Sequence, residues 1–268
     1  MSEMPVLNGE QVAALLPASD MVLVDVRPPQ LYARGHIPGA VNFPAFLLGG
    51  SHGDVPAAEG LARSLGKLGI VSDQYIVAYD DGASPAAARL FWVLSYYRHA
   101  RVSVLDGGIR AWATRGYPLD SGLRQANGAE YSIGEPDTSI SVSAEELLES
   151  LHDDELMVLD VRARAEYQGF QMTAARNGHI PNAVNIEWSE SLEAGETGIQ
   201  LRPRAELERA FSGPGVTPER RIVVYCQSGH RASHSFLTLK HLGYPRVAQY
   251  AAGWQEWGNR PDTPVDQG

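Results

Sequence analysis

Residues 23–44 and 158–187 of this 268-residue chain are two versions of one pattern. "LVDVRPPQLYARGHIPGAVNFP" returns as "VLDVRARAEYQGFQMTAARNGHIPNAVNIE", with a short insertion between Tyr167 and Gly178. Two further blocks recur in the same order: "IVAYDDGASPAAARLFWVL" at 76–94 with "IVVYCQSGHRASHSFLTLK" at 222–240, and "VLDGGIRAW" at 104–112 with "QYAAGWQEW" at 249–257. Collinear repetition on this scale implies that the chain folds the same unit twice.

Each copy alternates short Val/Ile/Leu runs with segments of helical period. The runs at 21–24, 76–79, 101–105, 157–159 and 222–225 are expected to be strands. The segments 8–16, 86–97, 144–151, 204–211 and 232–242 are expected to be helices. Asn8, Ser143 and the Pro203/Arg204 pair supply helix starts, and Gly243 a helix end. Evenly apolar strands separated by helices predict an α/β fold, two tandem domains each built on a small parallel sheet flanked by helices. The expected domains are 1–120 and 139–268, joined by a polar, Gly-rich linker at 121–138; residues 49–60 read as a surface loop.

Composition narrows the class of partner. A formal net charge of −10 disfavours nucleic acid and anionic membrane surfaces, and an anionic small molecule would need a local positive pocket. No apolar run approaches the roughly 18 residues of a membrane span. The single cysteine forms no intrachain disulfide, and there is no basic-then-apolar leader, so a reducing cytoplasm is expected. No metal or organic cofactor is expected, and a monomer is.

The lone cysteine, Cys226, ends an apolar run, and "QSGHR" turns the chain into the next helix. In open parallel sheets, ligand sites collect at this edge. Gly229 permits a turn whose N–H groups point inward, a nest that binds anions when backed by a helix N-terminus. Such a nest also favours thiolate, of which a free cysteine shows only about 3% at pH 7. Arg231 adds a permanent charge and a planar donor fork. His230 is a cation or a neutral donor, and Ser228 either donates to a bound anion or caps the helix. The competing reading of Cys226 is a small buried hydrophobe; the Gly and Arg within five residues at a strand-to-helix joint count against it.

These residues bring a known family into view. "DVR…Y…GHIPGAVNF", "DVR…EY…GHIPNAVNI", "YCQSGHRAS" and "WQEWG" together resemble the two-domain rhodanese-type sulfurtransferases over nearly the whole chain. The resemblance implies two rhodanese-like domains and a cysteine, here Cys226, that shuttles sulfane sulfur as a persulfide. It implies that the loop of Cys226, Gln227, Ser228, Gly229, His230 and Arg231 wraps the outer sulfur with backbone N–H groups. Arg231 matches the basic loop position associated with thiosulfate, whereas relatives that use 3-mercaptopyruvate tend to have small neutral loops. In the first copy Asp80 stands at the cysteine position, so that domain is expected to be catalytically silent. Some relatives carry a basic residue where this chain has Glu166; Arg176 could supply a replacement charge to the anion pocket, or be a solvated loop residue. Asp106 has no acidic counterpart at Ala251. Asp25 with Arg27, Asp160 with Arg162, and His36 and His179 recur in both copies, which argues for structural roles.

The expected function is transfer of sulfane sulfur from thiosulfate to a thiophilic acceptor such as cyanide. The alternatives are 3-mercaptopyruvate as donor with the same cysteine, and a non-enzymatic persulfide carrier or binding module. Cysteine phosphatase chemistry ranks lower, because only four residues separate Cys226 from Arg231 where phosphatase loops have five.

Overall fold

Apolar runs too short to be helices, and apolar on both faces, become the central strands of two parallel sheets. The structure is a computed structural model that describes residues 4–18, 20–49, 55–124 and 126–268. It divides into two compact units, one mainly of residues up to Asp137 together with Glu193–Leu201, the other mainly of Thr138–Leu192 and Arg202–Gly268.

The first unit holds strands β1 (Val6–Leu7), β2 (Met21–Asp25), β3 (Val41–Asn42), β4 (Tyr75–Tyr79) and β5 (Val102–Leu105) in the order β1-β5-β4-β2-β3, all parallel. Helices α1 (Gly9–Leu15), α2 (Pro29–Arg34), α3 (Ala58–Lys67), α4 (Pro85–Tyr96) and α5 (Gly108–Thr114) accompany them. Every residue of β4 is buried, as expected of a strand covered on both faces. Helix α3 occupies the end of the segment read as a surface loop; residues 50–54 of that reading lie outside the described residues. The 121–137 stretch carries no helix or strand among its described residues, yet it is pinned to its own unit. Ala129 N–H donates to the Gly66 carbonyl at 2.8 Å, and the buried Tyr131 hydroxyl meets His99 Nδ1 at 2.8 Å.

The second unit repeats the plan. Helix α6 (Ala144–Ser150), strand β6 (Leu156–Asp160), helix α7 (Arg164–Tyr167) and strand β7 (Val184–Asn185) come first. A two-stranded sheet, β8 (Leu192–Gly195) with β9 (Gly198–Leu201), follows, then α8 (Arg204–Ser212), β10 (Arg221–Tyr225), α9 (His230–His241), β11 (Val247–Tyr250) and α10 (Gly253–Trp257). The sheet order is β11-β10-β6-β7, all parallel. Residues 193–201 cluster with the first unit, where Leu201 N–H donates to Asp106 Oδ1 at 3.0 Å. That bond accounts for an acidic residue at 106 that the second copy lacks.

The repeated motifs repeat their contacts. Asn8 with Gln11, and Ser143 with Glu146, form reciprocal capping boxes at α1 and α6. Tyr32 and Tyr167 donate to the carbonyls of Ala40 and Ala183, each at 2.8 Å, and stack on His36 and His179. Asp25 binds Arg27, and Asp160 binds Arg162, each through paired buried hydrogen bonds. The duplicated Asp, Arg and His residues are scaffold.

Chain connections leave the sheet in opposite directions after β6, towards β7, and after β10, towards β11. The carboxyl ends of β6 and β10 therefore flank a topological switch point, the crevice where such sheets bind ligands. Cys226 is the first residue beyond β10.

Candidate active site

Cys226 is 1% exposed, and its Sγ accepts the Gly229 N–H at 3.2 Å. Gly229 has φ 91° and ψ −26°, a left-handed conformation that favours glycine, and it reverses the chain into α9. The Gly229 carbonyl is held on the far side by three donors: Ser233 N–H at 2.8 Å, Ser233 Oγ at 2.9 Å and Gln249 Nε2 at 2.9 Å. In a trans peptide the following N–H, that of His230, points the opposite way. Gln249 and Ser233 are fully buried and bonded to each other at 3.1 Å, so the turn rests on a fixed polar platform.

From beneath, Trp254 N–H donates to the Cys226 carbonyl at 2.8 Å and Gln255 N–H to that of Gln227 at 2.9 Å. The Gln227 side chain is used structurally: its Nε2 donates to the Thr173 carbonyl at 2.8 Å and to Gln255 Oε1 at 3.0 Å. Ser228 is half-buried in the turn, and α9 receives no side-chain cap, so the capping alternative for Ser228 falls away. Helix α9 begins at His230, two residues before the apolar period at Ala232 suggested. The first turn of α9 is polar because it faces the loop, and hydrophobic periodicity is blind to such a start. His230 and Arg231 therefore belong to the helix entrance. His230 and His234 also stand four residues apart on α9. Among the described residues no group of three or more His, Cys, Asp or Glu is placed to hold a metal ion.

Arg231 makes a bidentate ion pair with Glu166, Nη1 to Oε2 at 2.6 Å and Nη2 to Oε1 at 3.0 Å. Burial works against the Arg231 charge, but the Glu166 bonds, the neighbouring Cys226 and the carboxylates of Glu166 and Asp160 hold its pKa above the ordinary arginine value. Burial likewise opposes ionisation of Glu166, and Arg231, the Ala163 N–H and Arg162 together pull its carboxyl below the usual range. Beside this pair, fully buried Arg162 lies over the Trp254 ring at 4.5 Å and bonds Asp160 and the Gly178 carbonyl. Tyr225 OH donates to Asp160 Oδ2 at 2.5 Å, completing the wall.

Arg176 is not gathered into this cluster. Its Nη1 donates to the Thr263 carbonyl at 2.5 Å, and its Nη2 to the Trp257 carbonyl at 2.8 Å, to Thr263 Oγ1 at 2.6 Å and to the Arg260 carbonyl. Its guanidinium is bonded to carbonyls at and after the end of α10 rather than standing solvated in the loop. Glu166, Gln249, Ser233 and Gly253 are the site residues that sequence reasoning left without a role. Glu166 had a signal, an acid where relatives carry a base, but its partner lies 65 positions away.

The first unit shows what this turn encloses. Asp80, at the cysteine position, is buried, and its carboxylate accepts four backbone N–H groups: Gly82 at 2.9 Å and Ser84 at 3.1 Å on Oδ1, Ala86 at 3.2 Å and Ala87 at 3.3 Å on Oδ2. Counted from the left-handed N-caps Ser84 and Gly229, the first-unit turn is one residue longer than that of the second, and Ser84, Ala86 and Ala87 correspond to Gly229, Arg231 and Ala232. In one copy the turn's N–H groups bind a carboxylate; in the other the Gly229 N–H, counterpart of that of Ser84, binds the Cys226 sulfur.

The fold is a parallel α/β sheet with a cysteine at its switch point, the sulfur accepting an N–H of the turn into α9. The rhodanese-like domain matches the chain twice, over residues 8–115 and 143–260, and the chain belongs to the rhodanese-like family. A thiosulfate sulfurtransferase of Azotobacter vinelandii is 37% identical over 265 residues, covering 97% of this chain and 96% of its own. A 3-mercaptopyruvate sulfurtransferase of Escherichia coli K12 is 32% identical over 245 residues, covering 88% and 85%. The anaerobic ergothioneine biosynthesis enzyme of Chlorobium limicola superposes with a TM-score of 0.86 at 24% identity, over 98% of this chain and 70% of that one, a likeness of fold. Among the described residues no helix is long and apolar enough to cross a membrane.

Proposed function

We propose that the chain is a double-displacement sulfurtransferase working through Cys226, with thiosulfate as donor. The observation that carries this reading is the place of Cys226 at the turn: where N–H groups converge on the Asp80 carboxylate in the first unit, the Cys226 sulfur accepts the Gly229 N–H in the second. The Cys226 thiolate attacks the outer sulfur of thiosulfate; a new S–S bond forms, the donor's S–S bond breaks, and its electron pair leaves on sulfite. The persulfide then yields its terminal sulfur to a thiophile such as cyanide, which restores the thiolate. The amides of Ser228, Gly229 and His230 hold negative charge on the transferred sulfur, and the N-terminus of α9, where Arg231 is paired with Glu166, faces the anionic end of the donor. The first domain, 1–120, carries no nucleophile at Asp80 and is catalytically silent; 139–268 is the catalytic domain. A monomer in a reducing cytoplasm fits a chain whose one cysteine must stay a thiol.

The second donor, 3-mercaptopyruvate, gains support from a particular contact: Arg231 is closed against Glu166, which leaves the loop less positive than an open arginine would.

Intact-mass measurement after incubation with either donor is the test. One added sulfur on Cys226, lost on treatment with cyanide, is expected, with ping-pong kinetics. Cys226→Ser should lose turnover by at least roughly a thousand-fold. Turnover retained in that variant would refute the mechanism.

A further inference from the structure

The duplication provides an internal comparison for the charges around Cys226. Of the two ion pairs at the site, Asp160 with Arg162 has an equivalent in the first unit, Asp25 with Arg27. The other does not. Glu166 corresponds to Leu31, and Arg231, two residues past its left-handed N-cap, to Ala86, so both members are missing together from the copy without a cysteine. The pair of Glu166 with Arg231 is therefore no part of the plan the two units share and belongs to the cysteine's surroundings.

Its geometry fixes what it does there. Glu166 uses both oxygens on both terminal nitrogens of Arg231, its side chain is only 7% exposed, and Oε2 also accepts the Ala163 N–H at 3.2 Å. The arginine that would otherwise bring a full positive charge to the loop is neutralised at contact distance. With Asp160 and Arg162 also paired, the four ionised side chains beside Cys226 sum to zero. The remaining attraction for an anion comes from backbone N–H groups and the N-terminus of α9, partial charges acting at short range.

We propose that Glu166 is a specificity-determining residue: by closing Arg231 into a neutral pair it weights the Cys226 site against dianionic donors relative to monoanionic ones. This rests on Cys226 being the sulfur-accepting nucleophile. Coulomb energy scales with ligand charge, so removing the Glu166 charge favours a dianion by the square of the factor it gives a monoanion. A single charge at this range in a half-solvated loop corresponds to about three-fold for a monoanion and about nine-fold for a dianion. Glu166→Gln should raise kcat/KM for thiosulfate over kcat/KM for 3-mercaptopyruvate by about three-fold, chiefly through KM.

A probe that needs no sulfur donor tests the proposal separately from the activity. Cys226, the only thiol, is alkylated with neutral iodoacetamide and with anionic iodoacetate, and the two rates are compared at one pH by intact mass. The iodoacetate-to-iodoacetamide ratio should rise about three-fold in Glu166→Gln. In Glu166→Asp, which keeps the charge but is too short to grip the guanidinium equally, it should stay near the parent value. An unchanged ratio in Glu166→Gln, or the same rise in Glu166→Asp, would overturn the proposal. Should Glu166→Gln fail to fold, the parent protein decides: its ratio should not fall as salt is raised, and a several-fold fall would reveal an open positive charge and end the idea. Absence of turnover with both donors would instead count against the functional reading, leaving the alkylation result to judge Glu166.

Discussion

A Cβ on Gly253 would stand 2.3 Å from the carbonyl oxygen of Cys226 and 3.0 Å from that of Gln227. Gly253 has φ +60°, and the next residue, Trp254, donates its N–H to the same Cys226 carbonyl. The first unit repeats the arrangement: Gly108 has φ +53°, lies 2.3 Å by the same measure from the Asp80 carbonyl, and Ile109 N–H donates to it. The loop is thus seated on a glycine at the entry to the next helix. Gly253→Ala should cost about 2–4 kcal/mol, from left-handed strain plus backbone collision, and lower kcat/KM at least roughly ten-fold by shifting the loop. Gly243→Ala is the control: its φ is +88° with nothing within 4 Å, so it should cost only about 1 kcal/mol and leave activity intact. Urea titration and steady-state rates on the two variants check this.

Asp80 supplies four acceptor bonds to the N–H groups of its own turn, at 2.9–3.3 Å. Burial pushes its pKa up while those N–H groups pull the other way. Asp80→Asn presents an NH₂ to a ring of donors and leaves buried N–H groups unpaired. The expected loss is about 2–4 kcal/mol, borne by the first unit. Calorimetry should show it, while Cys226 still gains one sulfur in the mass spectrum.

How much of this was legible beforehand follows the range of each contact. The strands ending at Tyr79 and Tyr225, the capped helices opening at Asn8 and Ser143, and the scaffold roles of Arg27, Arg162, His36 and His179 were readable, because apolar runs, capping residues and duplication are local or internal signals. Cys226, Gly229 and Arg231 were readable as one turn because they lie within six residues. The destination of the Arg231 guanidinium was not, since Glu166 is set opposite it by the parallel pairing of β6 and β10. Strands β8 and β9 were missed because "LEAG" and "GIQL" are four residues each with none buried, too short for a pattern to stand out, and the anchor at Asp106 is 95 positions from Leu201.

Acid should affect the two units in opposite senses. His234 is enclosed on α9, edge-on to Trp188 at 5.2 Å, its Nδ1 without a partner, and burial pulls its pKa down to about 4. Between about pH 4 and 6.5 the unfolded chain takes up a proton here that the folded unit refuses. Stability is therefore complete above pH 6.5 and falls with acid, by up to about 3 kcal/mol at pH 4. Glu166, held below the usual carboxyl range, works in the same direction at lower pH. Asp106 in the first unit does the reverse: burial raises it to about 6 despite the Leu201 and Gly107 N–H groups, so the folded unit keeps a proton that the unfolded chain releases near pH 4. That contribution is largest below pH 4 and is lost as pH rises to 6. Scanning calorimetry from pH 4 to 7 should find that His234→Leu flattens a rise of the midpoint with pH, whereas Asp106→Asn steepens it. Identical slopes in all three proteins would refute the assignment.

Arg176 offers the sharpest separation of stability from substrate binding. Its guanidinium ties together the carbonyls of Trp257, Arg260 and Thr263, the end of α10 and the turn beyond it. Trp257 Nε1 donates to the Pro264 carbonyl at 2.7 Å, and His179 pairs with Asp266 through the backbone, so the tail that Arg176 organises also closes the core. Replacing the arginine leaves the Thr263 carbonyl without that donor, and leaves the Trp257 and Arg260 carbonyls to share the Thr263 hydroxyl. Arg176→Met, which keeps the length and apolar stem, should lower stability by about 2–4 kcal/mol. The KM for thiosulfate should stay within about two-fold, because the charge removed is already spent on carbonyls rather than offered to an anion. A urea titration with steady-state kinetics in parallel distinguishes the two roles: a large rise in KM with stability unchanged would return Arg176 to the anion pocket.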